Sequence, residues 1–278
     1  MPIMIRKESG KIEEFKPEKL REAVLRSGAS EELASEILED VNEKLYDGIS
    51  TREIFRIVHQ LLDRERPSLA SRYDLKGSIM RLGPEGFAFE TYIGEVLREY
   101  GYKTKLRQFI RGRCVEHEID VIAEDFNGKK SIIECKYHNA KGIHSGLKVA
   151  LYTYTRFLDL IEGFKDGRCE QFDEVWLVTN TRFSSRAIQY AGCKRVKLLG
   201  WRYPPDNSLQ RRIESKGLYP ITILRSMDRR SRNRFFNANL ILAKDLIRND
   251  FDDLLEKTHL KKNKLREIVT EARDFYRN

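Results

Sequence analysis

The chain has 278 residues, with 52 Lys and Arg against 43 Asp and Glu, for a formal net charge of +9. At 40% hydrophobic and 34% charged residues it is neither a fibrous, a low-complexity nor a wholly disordered polymer, and its length accommodates two or three domains. No apolar run approaches the ~20 residues that span a bilayer, the first residues carry no signal-like apolar core, and the four scattered cysteines form no CxxC pair, so a cytoplasmic protein with free thiols and no membrane partner is expected.

Charge is unevenly spread. Residues 1–82 hold 15 basic and 16 acidic side chains, residues 83–205 hold 20 and 16, and residues 206–278 hold 17 and 11. The first segment is balanced, whereas the other two carry the excess that a nucleic-acid backbone attracts.

Residues 1–82 read as a hairpin followed by helices. Ile3 and Ile5 alternate with Met4 and Arg6, and Ser9-Gly10 is a turn signal. Pro17 suits a first helical turn. Leu33, Ile37, Val41 and Leu45 recur on one face of a helix that Tyr46-Asp47-Gly48 ends. Ser50 or Thr51 caps the next helix, whose buried side is Ile54, Ile57, Val58, Leu61 and Leu62. A fourth helical stretch follows Pro67, and Gly83-Pro84 marks a boundary.

Residues 83–205 mix both element types. A helix over about 85–100 buries Phe89, Ile93, Val96, Leu97 and Tyr100. Strand-like runs follow near 103–110, 115–124 and 131–137. Leu147, Leu151, Tyr154, Leu158 and Ile161 then recur at helical spacing, Val175–Val178 is a short buried strand, and a helix from Ser184 and a strand near Val196–Leu199 complete the unit. A strand, a crossover helix and another strand imply an α/β sheet with a parallel pair. Residues 206–278 read as a helical bundle that binds nucleic acid or pairs two copies of the chain. Its densest cationic run, Arg225, Arg229, Arg230, Arg232 and Arg234, is the candidate DNA-binding surface.

The sharpest chemical signal lies in the middle segment. Asp120 sits on one strand, and Glu134-Cys135-Lys136 on the next, with Asn127-Gly128 between them. Residues two apart on a strand share a face, so Glu134 and Lys136 point together and Cys135 turns to the core. Charged groups on strands this apolar need pairing or a metal. A two-residue turn would set Asp120 opposite Cys135, on the wrong face. A three-residue loop with Gly128 in the left-handed region aligns Asp120 with Glu134, and this odd loop is predicted. Two converging carboxylates are hard oxygen donors suited to magnesium or manganese, and Lys136 can orient a water or neutralise charge on phosphorus. An E-x-K pattern alone also arises as a cross-strand ion pair.

Asp120 followed by Glu134-x-Lys136 resembles the PD-(D/E)XK nuclease motif, and residues 83–205 resemble the Mrr-type restriction endonuclease domain. Gly86-Phe87-Ala88-Phe89-Glu90 is similar to that family's opening helix, and Val178–Ser184 with Ala187 and Tyr190-Ala191 to its late strand and helix. The resemblance implies an αβββαβ core that hydrolyses DNA phosphodiesters with a metal held by Glu90, Asp120 and Glu134, assisted by Lys136. Residues His117-Glu118 replace the small residues common before the motif Asp.

No GxxxxGK[ST] motif occurs. Residues 1–82 instead resemble the ATP-cone, through Ile5–Gly10, Glu13, Phe15, Glu18-Lys19-Leu20 and Tyr46–Ile54. That resemblance implies a β-hairpin capping a four-helix bundle that binds ATP or dATP through Lys7, Glu13, Lys19 and Thr51 without hydrolysing it. Glu8 stands where the family's arginine is usual. The combined expectation is a multidomain α+β and α/β protein, a dimeric, magnesium-dependent endonuclease of double-stranded DNA tuned by a nucleotide. An inert nucleic-acid-binding regulator on the same fold, or an RNA nuclease, stand beside it.

Overall fold

The computed structural model describes residues 2–8, 10–83, 86–140 and 142–277. Ser9 of the expected turn and Pro84 of the expected boundary lie outside them. The chain opens on an antiparallel hairpin, β1 (Met4–Arg6) and β2 (Ile12–Glu14), with Gly10 at φ 81°. The hairpin caps α1 (Pro17–Arg26), α2 (Glu31–Lys44), α3 (Thr51–Glu65) and α4 (Pro67–Tyr73). The expected start signals at Pro17, Ser50 and Pro67 act locally, and Ser30 adds a further cap. Pro17 and Pro67 occupy first turns, Ser30 accepts the Leu33 amide at 3.2 Å, and Ser50 accepts that of Glu53 at 3.1 Å. Ile5, Val24, Ile37, Val41, Val58 and Leu62 bury together as this unit's own core.

Helix α5 (Leu75–Met80) departs from that unit. Leu75, Ile79 and Leu82 belong to a second, larger core, so the first core ends near Ala70 rather than at residue 82. The second unit begins with α6 (Phe87–Glu99). Then come β3 (Lys103–Arg111), β4 (Glu116–Glu124), β5 (Lys130–Lys136), β6 (His144–Ser145), α7 (Leu147–Lys165), β7 (Glu174–Thr179), β8 (Arg182–Phe183), α8 (Ser185–Lys194) and β9 (Lys197–Leu199). The five-stranded sheet has the order β3-β4-β5-β7-β9. Strands β3, β4 and β5 run antiparallel, while β7 and β9 join in parallel, as the crossover helices require. Strands β6 and β8 form a small separate parallel pair that no sequence signal announced.

The sheet is covered on both faces. Val121, Ile133, Trp176 and Val178 pack with α6. Ile122, Ile132, Val175 and Leu177 pack with α7 and α8. The buried side of α7 is Ala150, Thr153, Leu160 and Gly163, whereas Leu151 and Leu158 of the expected stripe are exposed. Small residues let α7 approach closely. A methyl group on Gly163 would meet the Gly112 backbone at 2.8 Å.

The last segment is helical: α9 (Leu209–Lys216), a 3₁₀ turn at Ile221–Ile223, α10 (Arg229–Asn237), α11 (Asp245–Arg248), α12 (Phe251–Thr258) and α13 (Lys262–Tyr276). It has no separate core. Leu209, Leu218, Phe235, Leu254, Ile268 and Phe275 join the core shared with α6 and the sheet. Tyr92 donates to the Leu218 carbonyl at 2.6 Å, and Lys244 pairs with Glu99 at 2.6 Å. The segment also holds the first unit. Arg72 of α4 donates to the Phe275 carbonyl at 2.7 Å, and Arg225 pairs with Asp63 of α3. Among the described residues no helix is long and apolar enough to cross a membrane.

Asp159 of α7 pins the β3–β4 connection. It accepts the Cys114 amide at 2.8 Å and the Val115 amide at 3.3 Å, and lies 2.8 Å from His117 Nε2. Burial works against its charge, but these donors win and hold its carboxyl down at about 2. A depressed carboxyl contributes stability above its unfolded pKa, and that stability is lost as pH falls through the folded value. Chemical denaturation of Asp159→Asn is therefore expected to show a deficit at pH 7 that shrinks steadily between pH ~4 and ~2. A deficit constant over that range would remove the charge from the account.

Candidate active site

The site is assembled by one loop. The Asp125 amide donates to the Lys129 carbonyl and the Gly128 amide to the Asp125 carbonyl, both at 3.0 Å, and Gly128 sits at φ 79°. Three residues, Phe126 to Gly128, therefore join β4 to β5, the odd loop that the face argument required. Pairs Val121↔Ile133 and Ile122↔Ile132 follow, the last paired residues of the two strands, and continuing that register by one step aligns Asp120 with Glu134. An Asp120 carboxylate oxygen accepts the Cys135 amide at 2.7 Å, which fixes its side chain across the two strands. Cys135 itself is core, as alternation implied. Lys136 ends β5, exposed, beside Thr179 of β7.

Glu90 reaches this region from the first turn of α6 and is buried. Its Oε2 is enclosed without a hydrogen-bond partner. Burial raises the Glu90 pKa against the lowering effect of Arg107, and the charges of Glu118 and Glu134 raise it further. Burial, then the Glu134 charge, with Glu90 adding, push Asp120 up to about 7 despite the Cys135 amide and Arg156. Glu90, Asp120 and Glu134 thus share one electrostatic environment that resists holding three negative charges. A hard dication relieves that repulsion, and carboxylate oxygens are its preferred donors. The donor set fits such an ion. Among the described residues, however, no three Asp, Glu, His or Cys side chains already stand in metal-holding geometry.

Two arginines, neither singled out by motif, account for that spacing. Arg156 of α7 bonds Glu134 at 2.6 Å, the Glu118 carbonyl at 2.9 Å and the Tyr152 hydroxyl at 2.6 Å, lying over the Tyr152 ring. The i,i+4 spacing of Tyr152 and Arg156 on a helix was the available signal, but which face met the sheet was not. Arg107 interrupts β3. Pairing to β4 lapses between Leu106↔Val121 and Gln108↔Ile119, and Arg107 takes the left-handed φ of 49°. Such a backbone costs a non-glycine residue about 1 kcal/mol. It aims the guanidinium at Glu90, 3.6 Å away, and at the Thr91 hydroxyl, 3.2 Å away.

The cationic run of the last segment divides. Arg229 and Arg232 line a cleft of about 440 Å³ with Phe87, Thr91 and Arg107, beside the Glu90 end of the site. Arg229, Arg230 and Arg234 face an open surface together. Arg232 is also structural, donating to the Arg81 carbonyl at 2.9 Å. Arg225 is tied to Asp63 and stands apart from the rest. His138 is held in the fold, its Nε2 3.1 Å from the Ser145 hydroxyl.

In the first unit Lys7 pairs with Glu13 at 2.6 Å, and that bond is the main cause holding the Glu13 carboxyl below its ordinary value. Glu13, Lys19 and Thr51 line one recess of about 180 Å³ with Phe55 and Tyr73. Lys7 lines the neighbouring cavity, which shares the Thr51 wall. The four expected nucleotide residues thus border two adjacent recesses with Thr51 in the wall of both.

Comparison with known proteins agrees with the order of the domains. Residues 3–75 match the ATP cone domain, residues 83–200 the restriction endonuclease family, and residues 219–275 the family described as AF1548-like, C-terminal. An Archaeoglobus fulgidus protein described as uncharacterized is 42% identical over 181 residues, which is 65% of this chain and 98% of that protein. The chain belongs to the AF1548-like family. A solved structure titled as a protein of unknown function, AF1548, is 40% identical with a TM-score of 0.60, covering 68% of this chain and 97% of that one. This AF1548-like chain places an ATP-cone before an Mrr-type restriction endonuclease domain, the order its motifs implied.

The Glu134–Arg156 pair is mostly buried, so removing one partner strands the other's charge. Arg156→Met is expected to destabilise this AF1548-like protein by about 2 kcal/mol, and adding Glu134→Gln to restore part of it. Urea denaturation of the two variants checks this. Equal or greater loss in the double variant would show that the pair is not the coupled unit described.

Proposed function

We propose that this AF1548-like protein is a metal-dependent endonuclease that hydrolyses phosphodiester bonds of double-stranded DNA and is tuned by ATP or dATP. The observation that supports the reading is the β4–β5 register, whose continuation past Val121↔Ile133 aligns Asp120 with Glu134 and Lys136, together with the mutual charge effects among Asp120, Glu134 and Glu90. Asp120 and Glu134, with Glu90, would hold magnesium or manganese. Such an ion supplies a water of lowered pKa and stabilises charge on a phosphoryl oxygen. Lys136, at the exposed strand end, orients the attacking water and balances negative charge on the phosphorus. Arg229 and Arg232, in the cleft beside Arg107, grip the substrate backbone, and Arg230 and Arg234 extend that surface. Arg156 keeps the Glu134 carboxylate in place until the site is loaded. Cutting both strands takes two such sites, so two copies of the chain act together.

One observation favours the inert alternative. Glu134 is already satisfied by Arg156, and a site that never releases it would bind DNA without cutting it. Incubating supercoiled plasmid with the purified chain and magnesium or manganese, with and without ATP, separates the two. Nicking or linearisation is expected, with Lys136→Ala and Asp120→Asn each slowing it about a hundredfold or more. No cleavage under any of these conditions removes the nuclease reading, and cleavage confined to an RNA control replaces DNA as the substrate.

A further inference from the structure

The recess lined by Glu13, Lys19 and Thr51 has a neighbour. Thr51, Phe55 and Tyr73 also line a cavity of about 600 Å³ to which the restriction-endonuclease unit contributes residues. His144 of β6, Arg182 of β8 and Arg202, just after β9, face Lys7 and Arg26 of the cone across it. Six basic side chains (Lys7, Arg26, Arg72, Lys76, Arg182 and Arg202) line this space against three acids, Glu8, Asp74 and Glu214. The volume is in the range of small-ligand sites, and a wall this cationic favours a polyanion. Partial burial, then the charges of Arg26 and Arg182, hold Arg202 below the usual guanidinium range, so these three cations from three separate elements press on one another.

We propose that the nuclease unit completes the cone's nucleotide site, with Arg182 and Arg202 taking the outer phosphates of a nucleoside triphosphate held by Lys7. The proposal rests on the reading of residues 3–75 as a nucleotide-binding module. It gives that module a physical route to the catalytic strand. Arg182 lies on β8 and His144 on β6, and among the described residues these two short strands form a two-stranded sheet of their own. The Ser145 hydroxyl bonds that of Thr179 at 3.2 Å, and Thr179 donates to the Lys136 carbonyl at 2.7 Å. A phosphate that clamps Arg182 to the cone therefore steadies the segment against which the end of β5 is held. A nucleotide with too few phosphates to reach Arg182 and Arg202 loses this differential contact and shifts nothing.

The test uses the full chain and ATP or AMP as probes, with binding measured by calorimetry and amide exchange followed by mass spectrometry. Arg182→Ala and Arg202→Ala are expected to weaken ATP about tenfold each while changing AMP less than about twofold. Arg202→Lys should retain most of the ATP affinity, and thermal melts show whether each variant is folded. In the wild type, ATP should slow exchange in peptides covering residues 142–146 and 181–184, and AMP should not. ATP affinity unchanged in both arginine variants but abolished by Lys7→Ala would confine the site to the cone and overturn the proposal alone. Absence of ATP binding by the wild type would overturn the proposal together with the nucleotide-binding reading beneath it.

Discussion

The arrangement of the candidate active site hangs on the length of one loop. Side chains on a strand alternate with a period of two, so a loop one residue shorter or longer would turn Asp120 to the other face of the sheet from Glu134. Three residues between Asp125 and Lys129, with Gly128 in the left-handed region, keep the two acids aligned. The arginines, the helix acid and the cationic cleft all take their meaning from that register.

Around it the fold is arranged to tolerate crowded charge. Burial and mutual repulsion push Asp120 up to about 7 and raise Glu90, an unfavourable state for a protein at rest. Arg156 offsets part of it from α7, and Arg107 another part from an interrupted β3. Arg156 comes from α7, packed on the sheet, and Arg107 from β3, a sheet strand outside the motif pair. The candidate site thus draws on two layers, in which the sheet supplies Asp120, Glu134 and Arg107 and the helices supply Glu90 and Arg156. The last segment belongs to the same arrangement. It shares the core of α6 and the sheet, brings Arg229 and Arg232 to the cleft, and anchors the cone through Arg72 and Arg225.

The legible parts of the chain were those governed by local rules. Strand alternation, the Gly128 loop and the E-x-K spacing lie within 17 residues of one another, from Asp120 to Lys136, and depend on backbone geometry alone. The cap at Ser50 and the prolines at 17 and 67 are likewise features of a single turn. The stripe on α7 was misjudged for a physical reason. Leu151 and Leu158 have the larger apolar surface, but burial falls on Ala150, Thr153, Leu160 and Gly163, and at Gly163 the close Gly112 backbone leaves no room for a side chain. The first core closes near Ala70, and the apolar face of α5 docks on the second core, a choice that only tertiary contacts make.

The sequence by itself determined the hairpin-capped helical unit and the mixed sheet with its parallel crossovers, and it marked Asp120, Glu134 and Lys136 as candidates, because periodicity, capping and loop parity act over a few residues. Tertiary structure alone decided which cations meet those acids, that Arg225 belongs to an interdomain ion pair with Asp63, and that Arg182 and Arg202 face Lys7 across one cavity. Those contacts join side chains tens to well over a hundred positions apart, and no local pattern carries the docking geometry that brings them together.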